Sequence, residues 1–309
     1  MMPLTEPSPQ GDVYFAFLSI LLEGAPYILL GTLISGFIDA FLPPGMIDRV
    51  LPKNRGLAIL VSGLLGGLFP VCECAVVPVV RRLVKKGLPI SCAITYMLSA
   101  PVINPVVVIS TLSAFNGQSP VFMTVSRLVM AYLVTVVVGL IAHRLRPGVV
   151  VRDEVLEDTG SAGYGHDHSK MPRDAKLVLA MRTAMRDFLD VGMYFTIGVL
   201  ITAVFNTQFD QGVLVGVAGN DFFAVPVMMV LAFILSLCST TDALIIAPLA
   251  VFSNVAKLAF LVYGPMMDVK LLFMYSTVFK PKFVLFLVFG IAFFVGVLCI
   301  PWSLFLEGR

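Results

Sequence analysis

Two thiols and a carboxylate stand together in an otherwise apolar stretch, Phe69-Pro70-Val71-Cys72-Glu73-Cys74. Two thiolates on one face can chelate a soft ion. Residues two apart on an α-helix point about 200° from each other, whereas in extended backbone they share a face. Pro70 and Pro78 predict a helix break here, and so a shared face for Cys72 and Cys74. The competing reading is that both are small buried hydrophobes, as free cysteines commonly are. A second polar cluster, Cys238-Ser239-Thr240-Thr241-Asp242, offers a thiol, three hydroxyls and a carboxylate. A third feature is Ser99-Ala100-Pro101-Val102-Ile103-Asn104-Pro105, with its counterpart Tyr263-Gly264-Pro265-Met266-Met267-Asp268. Each sets a proline and a polar side chain inside an apolar segment. That pattern fits either a kink or an ion- and substrate-coordinating break, for which Asn104 and Asp268 are the candidates.

What surrounds these residues decides the solvent they work in. Of 309 residues, 58% are apolar and 13% charged; soluble domains carry about 25% charge. Five cysteines are too few and too odd in number for a secreted disulfide scaffold. A formal charge of +2 with no long basic run gives no footprint for nucleic acid. The composition is that of an all-α polytopic membrane protein. Eight apolar segments are expected, near 13–42, 57–80, 88–112, 121–143, 187–205, 223–250, 256–275 and 282–305. No Lys or Arg precedes Arg49, so a basic signal-peptide region is missing and the N-terminus is expected to be retained.

The chain divides into a first membrane half, 1–143, a polar linker, 144–186, and a second half, 187–309. The basic residues of the linker place it in the cytoplasm by the positive-inside rule. The halves match one another. A shift of 167 lays Glu23 on Asp190, Tyr27 on Tyr194 and Gly31 on Gly198; a shift of 166 lays Cys72 on Cys238; a shift of 164 lays Asn104 on Asp268. Repeated halves are a transporter signature. If 57–80 and 223–250 are broken, re-entrant hairpins, each half crosses three times and the halves are inverted. Of the 21 basic residues this leaves only Lys257 and Arg309 outside and Arg127 within a span, a better charge asymmetry than eight straight crossings give.

Within a bilayer an ionised carboxylate costs about 2.5–3.5 kcal/mol even on the lenient scale. Glu73 is therefore the leading candidate proton carrier, followed by Asp242 and by the matched pair Glu23 and Asp190; a helix-end position is the alternative for Asp190 in particular. Arg127 is a cation inside a span, near its outer end, with Lys280 its expected counterpart, and each is placed to pair with a buried carboxylate or to snorkel. His166-Asp167-His168 in the linker is a minimal metal-binding tract, short of the ligands a firm site needs.

Phe69–Pro78, the downstream Arg81-Arg82-Leu83-Val84-Lys85-Lys86-Gly87, Ser99–Pro105, Cys238–Ala243 and Val262–Asp268 resemble the motifs of ArsP-type predicted permeases. The resemblance spans the chain apart from its linker. It implies a bacterial inner-membrane, multi-pass permease, in a family whose characterised members export trivalent organoarsenicals, and a role for Cys72, Cys74 and Cys238. The expected cargo is a small thiophilic solute, with a metal ion or a small sulfur-containing anion as alternatives. No Walker A sequence is present, so ion-coupled alternating access is expected. Neither His-Glu-x-x-His nor Gly-x-Ser-x-Gly occurs, so no enzyme and no cofactor are expected.

Overall fold

The computed structural model describes residues 9–42, 46, 51–52, 54–68, 72–117, 119–145, 147–152, 172–208, 221–249 and 251–306. Pro70, Gly160, Gly163, Gly165 and the His166–His168 tract lie outside the described residues. Thirteen helices are present among those described: α1 Pro9–Phe41, α2 Arg55–Leu68, α3 Glu73–Lys85, α4 Ile90–Ser99, α5 Pro105–Ala114, α6 Pro120–Arg144, α7 Pro147–Val150, α8 Arg173–Gln208, α9 Asp221–Leu235, α10 Thr241–Ile246, α11 Asn254–Met266, α12 Val269–Tyr275 and α13 Pro281–Leu306. The only strand-like pairing among them is a single bridge, Val151 to Phe279. The protein is an all-α polytopic membrane protein.

Local chemistry sets the boundaries. Pro105 and Pro120 open α5 and α6 where a missing N–H costs nothing. Asn104, Ser253 and Asp268 cap α5, α11 and α12, each side chain accepting a backbone N–H of the first turn. The long helices α1, α6, α8 and α13 are apolar enough to span a bilayer, as is the pair α11–α12 taken together. They present Leu29, Phe37, Leu189, Met193, Phe289 and Phe293 outward, where lipid replaces water as solvent. By contrast α11 is buried along its whole length, from Val255 to Met266.

Each half is built to one plan. α2 packs on α4 and α9 on α11; α4 packs on α6 and α11 on α13; α3 meets α12 as α10 meets α5. The sidedness is inverted. Leu51, Arg55, Pro89, Ile90, Ala142, Leu145 and Val150 line one cavity, so α2 and α4 begin where α6 ends, on the linker side. Val225, Pro226, Ser253, Val255, Ile300 and Ser303 line another, so α9 and α11 begin where α13 ends, on the opposite side. The first pair, α2–α3, thus enters and leaves on the linker side; the second, α9–α10, enters from the other. α4–α5 and α11–α12 cross completely in two pieces each, the former running against α6 through Thr95 beside Gly139 and Thr111 beside Arg127.

The first helices of the halves escape this symmetry and pair with each other. α1 and α8 run antiparallel, Ser35 donating to Asp187 at 2.7 Å and Thr183 to Asp39 at 3.3 Å. Each then lies on a half-helix that carries polar residues, α1 on α3 and α8 on α12. Two glycines permit this. A Cβ on Gly31 would stand 2.5 Å from the Ala75 carbonyl oxygen, and one on Gly198 would stand 2.8 Å from the Lys270 Cα. These are the same two glycines that the repeat aligns.

Several expectations change. Pro78 does not break a helix: it lies inside α3 among buried neighbours, a position that packed membrane helices tolerate. Lys270 and Lys257 are not loop cations. Both are 3% exposed, and the Lys257 Nζ donates to the Ala247 carbonyl at 3.1 Å. α8 begins at Arg173, so its first turns fall in the stretch assigned to the linker. Lys280 is no counterpart of Arg127: its backbone N–H donates to the Val150 carbonyl at the linker-side junction.

Candidate functional site

Four half-helices, α3, α5, α10 and α12, start from breaks inside the bundle. A helix start points unpaired N–H groups and a partial positive charge at whatever lies before it. Cys72 precedes α3 in extended backbone, φ −71° and ψ 166°, and Cys74 is the second residue of the helix. The break thus does what the spacing required: Cys72 and Cys74 both face the same cavity. Glu73 between them is 2% exposed and occupies the first helical position, where a carboxylate is favoured by the helix dipole.

Glu73 reaches from the first half into the second. Its Oε2 accepts from Ser239 Oγ at 3.3 Å, and its Oε1 lies 3.5 Å from the Lys270 Nζ. Lys270 also lies 3.4 Å from Asp268 Oδ2. Arg127, 1% exposed, donates from Nη1 to Thr111 Oγ1 at 2.8 Å and from Nη2 to the Ser239 carbonyl at 3.1 Å. It interacts electrostatically with Asp242 and Glu73. Breaking one partner out of such a buried charge set costs about 3–5 kcal/mol.

A cavity of about 50 Å³ opens at this junction, room for a few waters at most. Cys72, Cys74 and Cys238 all line it, together with Glu73 and Lys270, while Glu23 and Tyr27 border it from α1. The three cysteines singled out therefore share one cavity, with Glu23 at its edge. Asp242 is 1% exposed and its Oδ2 has no hydrogen-bond donor among the described residues. Asn104 caps α5 by accepting from the Val106 N–H at 2.9 Å. Asp268 does the same for α12 from the Leu271 N–H at 2.7 Å, leaving its second oxygen to Lys270. Asp190 is not part of the cluster. It pairs with Arg81 at 3.6 Å and remains more than half exposed.

Toward the linker the site is closed by charge. Arg82 makes two bonds to Asp187, at 3.0 and 3.1 Å, and lies 3.5 Å from Asp39; the Lys86 Nζ donates to the Asp39 carbonyl at 2.7 Å. These contacts tie the end of α3 to α1 and α8.

Lys270 and Ser236 were missed by sequence reasoning. A lysine two residues past a capped break reads as a loop charge, and only the pairing of α3 with α12 shows that it faces Glu73. Among the described residues no three His, Cys, Asp or Glu side chains gather to hold an ion.

The family model described as a predicted permease, ArsP_1, matches residues 11–300. The chain belongs to this permease family. Among the relatives of an ArsP_1 permease is a UPF0718 protein of Bacillus subtilis (strain 168), YcgR, 38% identical over 293 residues, covering 94% of this chain and 96% of that one. Another comes from Streptococcus mutans serotype c, 38% identical over 271 residues and 87% of each chain. It bears the provisional name of a two-component membrane permease complex subunit. A UPF0718 protein of Methanocaldococcus jannaschii is 29% identical over 115 residues, 37% of this chain and 30% of its own. No solved structure matches. An ArsP_1 chain with this bundle is a multi-pass membrane permease.

Proposed function

We propose that this permease exports a soft, thiophilic solute, most directly a trivalent organoarsenical, across a bacterial inner membrane by proton-coupled alternating access. The observation that supports this is that Cys72, Cys74 and Cys238 line one cavity where broken helices of both halves meet. A hydrated organoarsenical, R–As(OH)₂, would exchange two As–OH bonds and two S–H bonds for two As–S bonds and two waters. That exchange consumes no net proton, so coupling needs a group of its own. Asp242 suits it, because a proton can be taken up at its donor-less oxygen without displacing a bond. Glu73 is held by Lys270 and Ser239. A sulfur-containing anion is the second reading, favoured by Lys270 and Arg127 in the same cluster. A second membrane subunit is a further proposed partner, by likeness to the streptococcal relative.

A strain lacking its own arsenical pumps tests the cargo. Expression of the protein is expected to raise resistance to trivalent organoarsenicals and leave divalent-metal tolerance unchanged. Resistance to metals alone would contradict the reading. Orientation is tested separately, with the linker side proposed as cytoplasmic. Single cysteines replacing Arg55 and Lys85 in a chain stripped of native cysteines are expected to label only from the cytoplasm, and one replacing Ser253 only from outside. Labelling of the first two from opposite faces would contradict the re-entrant α2–α3 pair.

A further inference from the structure

The Lys270 ammonium sits in a nest of oxygens rather than in a simple ion pair. The Ser236 carbonyl accepts from Nζ at 2.8 Å and the Leu237 carbonyl at 3.4 Å; Glu73 Oε1 lies at 3.5 Å and Asp268 Oδ2 at 3.4 Å. Two carboxylate oxygens and two carbonyls from an unwound stretch are the donors that bind a dehydrated alkali cation at a broken helix. The nest is assembled from both halves, Glu73 from the first and the other three groups from the second.

It is also built deliberately. Ser236 adopts φ +48°, the left-handed region that side-chain-bearing residues rarely enter. Its hydroxyl holds this geometry by donating to the Phe233 carbonyl at 3.1 Å and accepting from the Val269 N–H at 3.2 Å. The turn that results aims the two carbonyls at the ammonium. Gly198 on α8 lets the Lys270 backbone close on the bundle behind it.

We propose that Lys270 is a tethered cation filling a monovalent-cation site, which denies sodium a coupling role, and that removing its side chain turns the nest into a sodium site. The single charge of the ammonium sets the expected valence of its replacement. The proposal rests on the transport reading for its consequence only, since cation binding is measured without cargo.

The test compares melting of the purified protein in sodium, potassium, calcium and choline chlorides. The wild type is expected to melt at the same temperature in sodium as in choline. Lys270→Ala is expected to melt lower in choline and to gain about 2–4 °C on saturation with sodium, and Lys270→Arg to gain nothing. A folded, monodisperse Lys270→Ala that ignores sodium would overturn the proposal, as would a variant stabilised by calcium alone or a saturable sodium effect on the wild type. Lys270→Met serves as a second vacating variant. Failure of both to fold in sodium as in choline also counts against it, because the ion is expected to replace the ammonium. If sodium binds as expected but no solute is moved, the cation site stands and the transport reading falls.

Discussion

Replacing Cys72 and Cys74 together by serine is expected to return organoarsenical resistance to that of cells without the permease, with protein level unchanged. Serine is close to cysteine in size, so the start of α3 keeps its packing. A hydroxyl is a hard ligand and does not hold a soft ion as a thiolate does. The two thiols line one cavity at the start of α3, so one arsenic is expected to bridge them. Cys299→Ser is the control. Cys299 is buried in α13, beside the cavity on the side opposite the linker and away from the other thiols. Its loss is expected to leave resistance intact. Full resistance in the Cys72→Ser, Cys74→Ser double variant would move the cargo to the anion class.

The second large effect concerns coupling. Asp242→Asn is expected to retain cargo binding and to lose the response of transport to an imposed pH gradient, leaving only downhill movement. Asparagine preserves shape and volume but cannot cycle a proton. Glu73→Gln serves as the second arm, since it keeps an acceptor for Ser239 while releasing Lys270 from one of its two carboxylates. Counterflow and gradient-driven uptake would be measured on both variants in vesicles. If Glu73→Gln alone becomes gradient-insensitive, the proton rides on Glu73, between the thiols, and Asp242 is a partner of Arg127.

Much of this architecture was legible in residue order. The match of Cys72 with Cys238 and of Asn104 with Asp268 gave the repeat, and the matched residues cap or precede half-helices in both halves. Gly31 and Gly198 aligned, and both proved to be places where a backbone comes too close for a Cβ. The charge asymmetry gave the inverted, re-entrant arrangement even though Lys257, expected outside, is buried. The failures were tertiary. Arg127 finds its carbonyl partner at Ser239, far along the chain, where no periodicity relates them. Glu23 and Asp190 align, yet the antiparallel pairing of α1 with α8 puts one at the cavity edge and the other beside Arg81. Pro78 was read as a break because proline costs a helix bond in water, a cost that packing inside the bundle offsets.

The central claim is that thiols at the meeting point of the two halves carry a soft solute across the membrane. Uptake of a labelled trivalent organoarsenical into everted membrane vesicles tests it most directly. The wild-type permease is expected to concentrate the label when the vesicle interior is made acidic, to lose that accumulation with a protonophore, and to show none with the Cys72→Ser, Cys74→Ser pair. Equal accumulation by vesicles carrying the double variant, or none by the wild type under any gradient, would contradict the account.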